Sequence, residues 1–283
     1  MHVRSGDVFQ LGQNRLACGD ATSPQLVERL MAAKSAKLCM TSPPYDNQRT
    51  YGQDKAIDWT PLMKGVCSCL PMAPRGQVLV NLGLVHRKGE FVEYWREWLD
   101  WMRSVGWRPF GWYVWDKLSA MPGDWNGRLA PAHEFVFHFN RLARKPNKTK
   151  PCKSAGVMKN HSRCLRVKDG SFRRFSHQGR RVQPFKIPDS VIRLPSAKTT
   201  GKIERAHPAV FPIALPSEFI LAFTNRGEIV YEPFAGSGTT LIASQRLGRR
   251  CYAVEQNPDY CRLILERWQA EFKTKPTRLP RQR

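Results

Sequence analysis

The sequence predicts an α/β sheet with helices on both faces, interrupted by a basic insertion, and three observations lead there. Short apolar runs recur along the 283 residues with amphipathic helical stretches between them, the alternation from which layered α/β sheets are built. A strand, a glycine turn, a helix and a second strand follow one another over residues 227 to 257. Between residues 141 and 206 the regular pattern stops, and a polar, basic stretch rich in Pro, Gly and Ser takes its place.

Taken in order, "AKLCMT" (36 to 41) and "GQVLVNLG" (76 to 83) read as buried strands. "EFVEYWREWLDWMRSVGW" (90 to 107) has the apolar spacing of an amphipathic helix, with Trp95, Trp98 and Trp101 on one stripe that suits a core or a dimer surface. "FGWYVWDK" (110 to 117) and "HEFVFHFN" (133 to 140) are the next strands. After the insertion, Pro216 occupies the first turn of a helix carrying Phe219, Ile220, Ala222 and Phe223. The expected organisation is a first part over 1–140, the insertion over 141–206 and a second part of the same domain over 207–272. A basic tail over 273–283, broken by Pro276 and Pro280, is expected to fray.

Charge points to a partner. The chain carries 46 Lys and Arg against 23 Asp and Glu, a net +23, and 41% of its residues are hydrophobic, so it is globular and strongly basic. From Asn140 to Arg205 there are 19 basic residues against three acidic ones, which places 16 of the 23 net charges in less than a quarter of the chain. Charge gathered that tightly predicts a polyanion partner, a nucleic acid above all. The densest cluster, Arg173, Arg174, Arg180 and Arg181, brackets the aromatic island Phe172 to Phe175. The eight cysteines form no pair of C-x-x-C units, so no metal site is expected. Several of them, such as Cys39 and Cys251, fall in apolar runs, which fits a reducing cytoplasm, and no apolar run suits a membrane span.

In "YEPFAGSGTT" the strand Ile229-Val230-Tyr231 runs into Phe234, Gly236 and Gly238, and a helix opening with Thr239 follows at once. Glycines there allow close approach of the backbone to a ligand, and the helix N-terminus offers free N–H groups. The next strand ends in Glu255, where a doubly wound sheet grips the hydroxyls of a ribose. The full G-x-G-x-x-G of a dinucleotide site is absent, and Thr239-Thr240 replaces it. The turn therefore suits an adenosine without a diphosphate, and S-adenosylmethionine is such a ligand.

Upstream, the strand ending at Thr41 meets Ser42-Pro43-Pro44-Tyr45, where two prolines remove backbone donors and hold the chain in a rigid extended path. With Phe234-Ala235-Gly236-Ser237-Gly238 downstream of it, this motif resembles those of the amino-directed DNA methyltransferases, whose catalytic motif has the form D/N/S-P-P-Y/F/W and whose cofactor motif has the form F-x-G-x-G. The order, catalytic motif first and basic segment between, is similar to the β group of that family. The likeness spans nearly the whole chain, because "GDAT" (19 to 22), "WDKLSAMP" and "HEFVFHFN", and "HPAVFP" before the cofactor helix also fall where such enzymes carry related segments.

The resemblance implies a Rossmann-like methyltransferase sheet, S-adenosylmethionine as cofactor, and a target-recognition role for residues 141–206. It makes double-stranded DNA the nucleic acid in question and adds a second copy of the chain as a candidate partner. It implies that Ser42 Oγ and the Pro43 carbonyl accept from the amino group of a base flipped out of the duplex, that Pro44 stiffens the loop and that Tyr45 stacks on the base. Asp20 takes the position of a carboxylate near the cofactor adenine, with an Asx-turn or helix cap as its alternative. Glu232 stands where many members have Asp, near the sulfonium end and on a longer arm. His207-Pro208 either closes the methionine end of the site or is a packed turn. A catalytic motif beginning with Ser leans toward cytosine N4 over adenine N6. Methylation of RNA or protein is the rival within the same chemistry. A catalytically silent DNA-binding regulator is the rival outside it, and two intact motifs that binding alone does not require argue against it.

Overall fold

The computed structural model describes residues 2–44, 58–120, 122, 123, 125, 127–159, 162–176, 179–197 and 211–281. One sheet of ten strands organises them. In chain order the strands are β1 (Val8–Leu11), β2 (Asn14–Cys18), β3 (Ala36–Thr41), β4 (Met72–Leu82), β5 (Arg108–Asp116), β6 (His133–Asn140), β7 (Val191–Arg193), β8 (Ile229–Glu232), β9 (Arg250–Glu255) and β10 (Thr277–Arg278). The helices are α1 (Pro24–Met31), α2 (Trp59–Ser68), α3 (Arg96–Ser104), α4 (Ala214–Phe223), α5 (Thr239–Arg246) and α6 (Pro258–Phe272). Across the sheet the strands run β7-β5-β6-β4-β3-β8-β9-β2-β1-β10. The five central ones, β4, β3, β8, β9 and β2, are mutually parallel.

Alternation along the strands explains the layers. On β9, Tyr252 and Val254 enter one core with Tyr231 of β8 and with Trp59, Met63 and Trp98 from α2 and α3. Cys251 and Ala253 point the other way, toward Ile264, Leu265 and Trp268 of α6. Farther along that second face, Leu38, Leu79, Val136 and Val230 pack under Leu215, Phe219, Ile220 and Phe223 of α4. Successive side chains on a strand face opposite sides, so a near-continuous apolar run such as Leu38-Cys39-Met40 needs helices on both faces. The expected two-faced α/β sheet is what the chain builds. All eight cysteines are free, and among the described residues no helix is long and apolar enough to cross a membrane.

Three local expectations are corrected. The helix expected over 90–107 occupies only Arg96–Ser104, because Glu90–Val92 pairs with Val85–Arg87 as a hairpin. Within it Trp98 is wholly buried among aromatic rings, Trp59 and Phe139 included, which with buried Trp95 makes these two tryptophans core, and half-buried Trp101 packs against the same cluster. The basic stretch folds in part into short ladders, Ser162–Arg166 with Phe172–Ser176, Met158–Lys159 with Arg180–Arg181 and Lys150–Pro151 with Phe185–Lys186, and by Val191 the chain has returned to the main sheet beside β5.

The third correction concerns the tail, whose described residues, to 281, are docked. Phe9 and Gln10 pair with Arg278 and Thr277, and the Leu279 amide donates to the Val8 carbonyl at 2.8 Å. The reason is Asp7, 1% exposed. Its carboxylate accepts from the Arg4 amide at 2.9 Å and from Arg281 at 2.9 Å, with Arg278 at 3.5 Å. Burial pulls its pKa up, yet the Arg4 amide and the two guanidinium groups outweigh it and hold the carboxyl below its ordinary value. A carboxyl depressed on folding contributes stability above its unfolded pKa and loses it as pH falls through the folded one. The double variant Arg278→Ala, Arg281→Ala is therefore expected to lose about 1–2 kcal/mol at pH 7. That difference should fade below about pH 4, as thermal melts at pH 7 and pH 3 would show.

Candidate active site

In an open α/β sheet, ligands collect beyond the carboxyl ends of the strands where the strand order reverses. Here the chain leaves β3 outward to β4 on one side, and leaves β8 to β9 on the other, so the ends of β3 and β8 flank that point. Four adjacent strand ends bring together most of the residues that the sequence singled out: β3 delivers Ser42, β8 delivers Glu232, Phe234 and the glycine turn, β9 delivers Glu255 and β2 delivers Asp20.

At the end of β3, Pro43 is buried, and Ser42 and Pro44 are half-buried. Without N–H groups, the prolines cannot extend the ladder. The loop is held instead from its far side, where the Trp59 indole donates to the Pro44 carbonyl at 2.9 Å. Trp59 is itself wedged edge-on against Tyr94 and Trp98 at 4.8 and 5.6 Å between ring centroids. Tyr45 and His207-Pro208 lie outside the described residues.

Glu232 ends β8 with 1% of its surface exposed. One carboxylate oxygen accepts from the Thr41 hydroxyl and, at 3.1 Å, from the Phe234 amide; the other accepts from the Thr240 hydroxyl at 2.8 Å. Burial pushes its pKa up to about 8 against those three hydrogen bonds. The carboxylate expected near the sulfonium end is thus occupied by groups of the chain itself.

The turn after β8 depends on left-handed backbone at Gly236 (φ 53°) and Gly238 (φ 80°), a region that costs any other residue conformational energy. At Gly238 a Cβ would also come within 3.1 Å of Ile264. Gly238 caps α5, whose Thr239 and Thr240 are buried. The Gly236 amide donates to Glu255 Oε2 at 2.8 Å, and the Asn257 amide donates to Oε1 at 2.8 Å. Burial raises the Glu255 pKa, and those amides oppose it. The Glu255 carbonyl accepts from Gly19 at 2.9 Å, which brings exposed Asp20 beside it. Asp20 Oδ1 accepts from the Thr22 amide at 2.8 Å, an Asx-turn that leads into α1, so the structural alternative named for Asp20 is present at the edge of the site.

The four arginines do not join this cluster. Arg173 and Arg174 lie on Phe172–Ser176, and Arg180 and Arg181 on the separate ladder with Met158–Lys159. All four are exposed, and Phe172 beside them is 72% exposed.

Sequence reasoning named Thr240 only as part of the turn, without its bond to Glu232, and missed the bonds made by Thr41 and Trp59. The two threonines adjoin the motifs, and a hydroxyl at the last position of a buried strand is a signal in itself. Trp59 carries none, since nothing local links it to Pro44.

Comparison with known proteins adds the following. Residues 36–266 match the family described as DNA methylase. The orphan methyltransferase M.BamHII of Bacillus amyloliquefaciens is 29% identical over 244 residues, 81% of this chain and 87% of that protein. Among solved structures, the PvuII DNA methyltransferase (cytosine-N4-specific) superimposes with a TM-score of 0.64 at 21% identity, covering 92% of this chain and 89% of that one. The M1.HpyAVI–SAM complex gives 0.54 at 18% identity, covering 89% and 98%.

Proposed function

Because the chain belongs to the DNA methylase family, we propose that it transfers a methyl group from S-adenosylmethionine to the exocyclic amino group of a base flipped out of double-stranded DNA, cytosine N4 before adenine N6. The observation that carries this reading is the junction at the centre of the sheet: Ser42-Pro43-Pro44 leaves β3 directly beside the Glu232 to Gly238 turn that leaves β8.

The residues present fit the cofactor. Thr239 and Thr240 are buried in the first turn of α5, where a pyrophosphate would need open backbone, so the turn suits an adenosine that carries no diphosphate. Glu255 would accept from ribose hydroxyls, Asp20 would lie by the adenine, and Phe234 with Gly236 and Gly238 would line the near wall. Bound there, S-adenosylmethionine supplies an electrophilic methyl group on a positively charged sulfur.

Within the chain, Ser42 Oγ and the Pro43 carbonyl can both accept from the amino group of the base. Its lone pair is ordinarily delocalised into the ring; two acceptors on its protons favour a pyramidal nitrogen aimed at the methyl group. Tyr45 would stack on the flipped base, a contact worth about 1–3 kcal/mol. Serine is a weak base, so Ser42 orients the nitrogen and the surplus proton leaves to water after transfer. Most of the rate then comes from alignment. The lean to cytosine rests on Ser42 heading the motif.

Mass spectrometry of digested DNA from cells expressing the protein tests the reading. N4-methylcytosine is the expected product, N6-methyladenine would move the target to the other base, and neither base in DNA, with label entering RNA or protein instead, would overturn it.

The arginines make a separate prediction about binding. Neighbouring residues of a strand face opposite sides, so Arg173 and Arg174 cannot both lie on one row of phosphates, nor can Arg180 and Arg181. One Ala variant of each pair is expected to reduce the slope of log affinity against log salt by about one unit, the other to leave it unchanged. Filter binding on target and non-target duplexes from low to high salt would show this; four unchanged slopes would place the DNA contact elsewhere.

A further inference from the structure

Of the short ladders in the basic stretch, the one formed by Ser162–Arg166 and Phe172–Ser176 is a sheet of two strands that pairs with no other strand among the described residues. Directly opposite residues of an antiparallel pair share a face, so Cys164, Arg166, Phe172 and Arg174 lie on one side of the ribbon, and Leu165 and Arg173 on the other. All six are exposed, Leu165 by 55% and Phe172 by 72%. A two-stranded ribbon open on both faces is marginal in water by itself. Its tip is nonetheless tied down: the Val167 amide donates to the Ser171 carbonyl at 2.8 Å, Gly170 takes left-handed backbone at φ 85°, and Asp169 Oδ1 accepts from the Ser171 amide at 2.9 Å.

Charge decides what covers it. Residues 162 to 176 carry five basic side chains against one acidic one, and that one, Asp169, is held at the tip by Ser171. From this geometry we propose that the ribbon enters the major groove of the duplex with Arg166 and Arg174 toward the base edges, where they read guanine through O6 and N7, and with Arg173 on the outward face, level with the phosphates. The inference rests on the DNA methyltransferase reading above and adds to it the element, and the face of that element, that selects the sequence. A major groove about 12 Å wide admits a two-stranded ribbon, and arginine against O6 and N7 of guanine is the commonest specific contact made there. Both guanidinium groups are steadied by the ribbon itself, Arg166 Nε donating to the Gly170 carbonyl at 3.3 Å and Arg174 Nη2 to Ser162 Oγ at 3.3 Å. Phe172, opposite Arg166, gives the same face an apolar contact for a thymine methyl group, which accounts for an aromatic ring left in water.

Replacing guanine by 7-deazaguanine removes N7 and leaves base pairing intact. The probe is therefore a plasmid fragment that the wild-type protein methylates, amplified once with each base. Below saturation, the wild-type rate of methyl incorporation is expected to fall by about 10-fold or more on the 7-deazaguanine fragment. Arg166→Ala combined with Arg174→Ala should be slow on the ordinary fragment and no slower on the other. Arg173→Ala should slow both fragments alike, keep the wild-type ratio between them and reduce the slope of log affinity against log salt by about one unit. These side chains are exposed, so melting temperature and S-adenosylmethionine affinity by calorimetry should stay at the wild-type values. Cys164, a free thiol on the base-facing side, gives a second readout in the unaltered protein: its alkylation by N-ethylmaleimide, followed by peptide mass spectrometry, should be slowed by saturating ordinary fragment.

A double variant that keeps the wild-type ratio between the two fragments, or a Cys164 alkylated equally fast with and without DNA, would overturn the inference. So would loss of that ratio in Arg173→Ala, since the opposite face would then meet the bases. A wild-type protein that methylates no DNA, with label entering RNA instead, removes the functional reading itself; one that methylates both fragments equally well removes only the role of the ribbon.

Discussion

Gly236→Leu is expected to weaken S-adenosylmethionine binding by at least about 100-fold, roughly 3 kcal/mol, while the protein still folds. Gly236 has left-handed backbone at φ 53°, which costs an L-residue about 1–2 kcal/mol, so stability should drop by no more than that. The larger loss falls on the ligand. The Gly236 amide is held by Glu255 Oε2 at 2.8 Å, so the turn cannot move aside to make room, and the close approach that a bare backbone permits is gone. Calorimetry with the purified variant measures the affinity, and a thermal melt separates it from unfolding. Unchanged affinity in a folded Gly236→Leu variant would remove the cofactor assignment from this turn.

Glu255→Ala should have the next largest effect, because Glu255 does more than the ribose contact read from its position. Its carboxylate accepts from the Gly236 amide on one oxygen and from the Asn257 amide on the other. Asn257 in turn caps α6, its side chain accepting from the Asp259 amide at 2.8 Å. Truncation removes the proposed ribose acceptor and leaves two backbone donors without their partner, each costing about 1–3 kcal/mol where water cannot replace it. Both observables should move together: cofactor affinity falls by about 100-fold and the melting temperature by about 5–10 °C. Glu255→Gln, which retains an acceptor but must turn an NH₂ group toward one of the amides, should fall between. A Glu255→Ala variant that melts with the wild type would show that the carboxylate does not hold the turn.

Much of the architecture and of the site is legible in the sequence because its signals are local. Proline removes a donor wherever it stands, a glycine after a strand permits a left-handed turn whatever surrounds it, and apolar runs broken by amphipathic stretches need a two-faced sheet. Gly236, Gly238 and Glu255 could therefore be singled out, and the basic stretch located, from order and spacing, whereas the part assigned to Ser42-Pro43-Pro44 came with the resemblance to the methyltransferase motifs.

Tertiary structure decided what depends on residues distant in sequence. The tail was expected to fray because Lys273 to Arg283 is basic and broken by Pro276 and Pro280; it docks, as far as residue 281, because Asp7 is buried and needs the charges of Arg278 and Arg281. The arginines adjoin one aromatic island in sequence, yet two different ladders separate them. The resemblance places Glu232 near the sulfonium end of a cofactor; in the fold its carboxylate accepts from Thr41, 191 residues away in the chain, and from Thr240 and the Phe234 amide. A carboxylate has the same chemistry in either place. Whether it faces a ligand or a buried hydroxyl is set by which strands lie side by side, and that follows from the packing of the whole sheet.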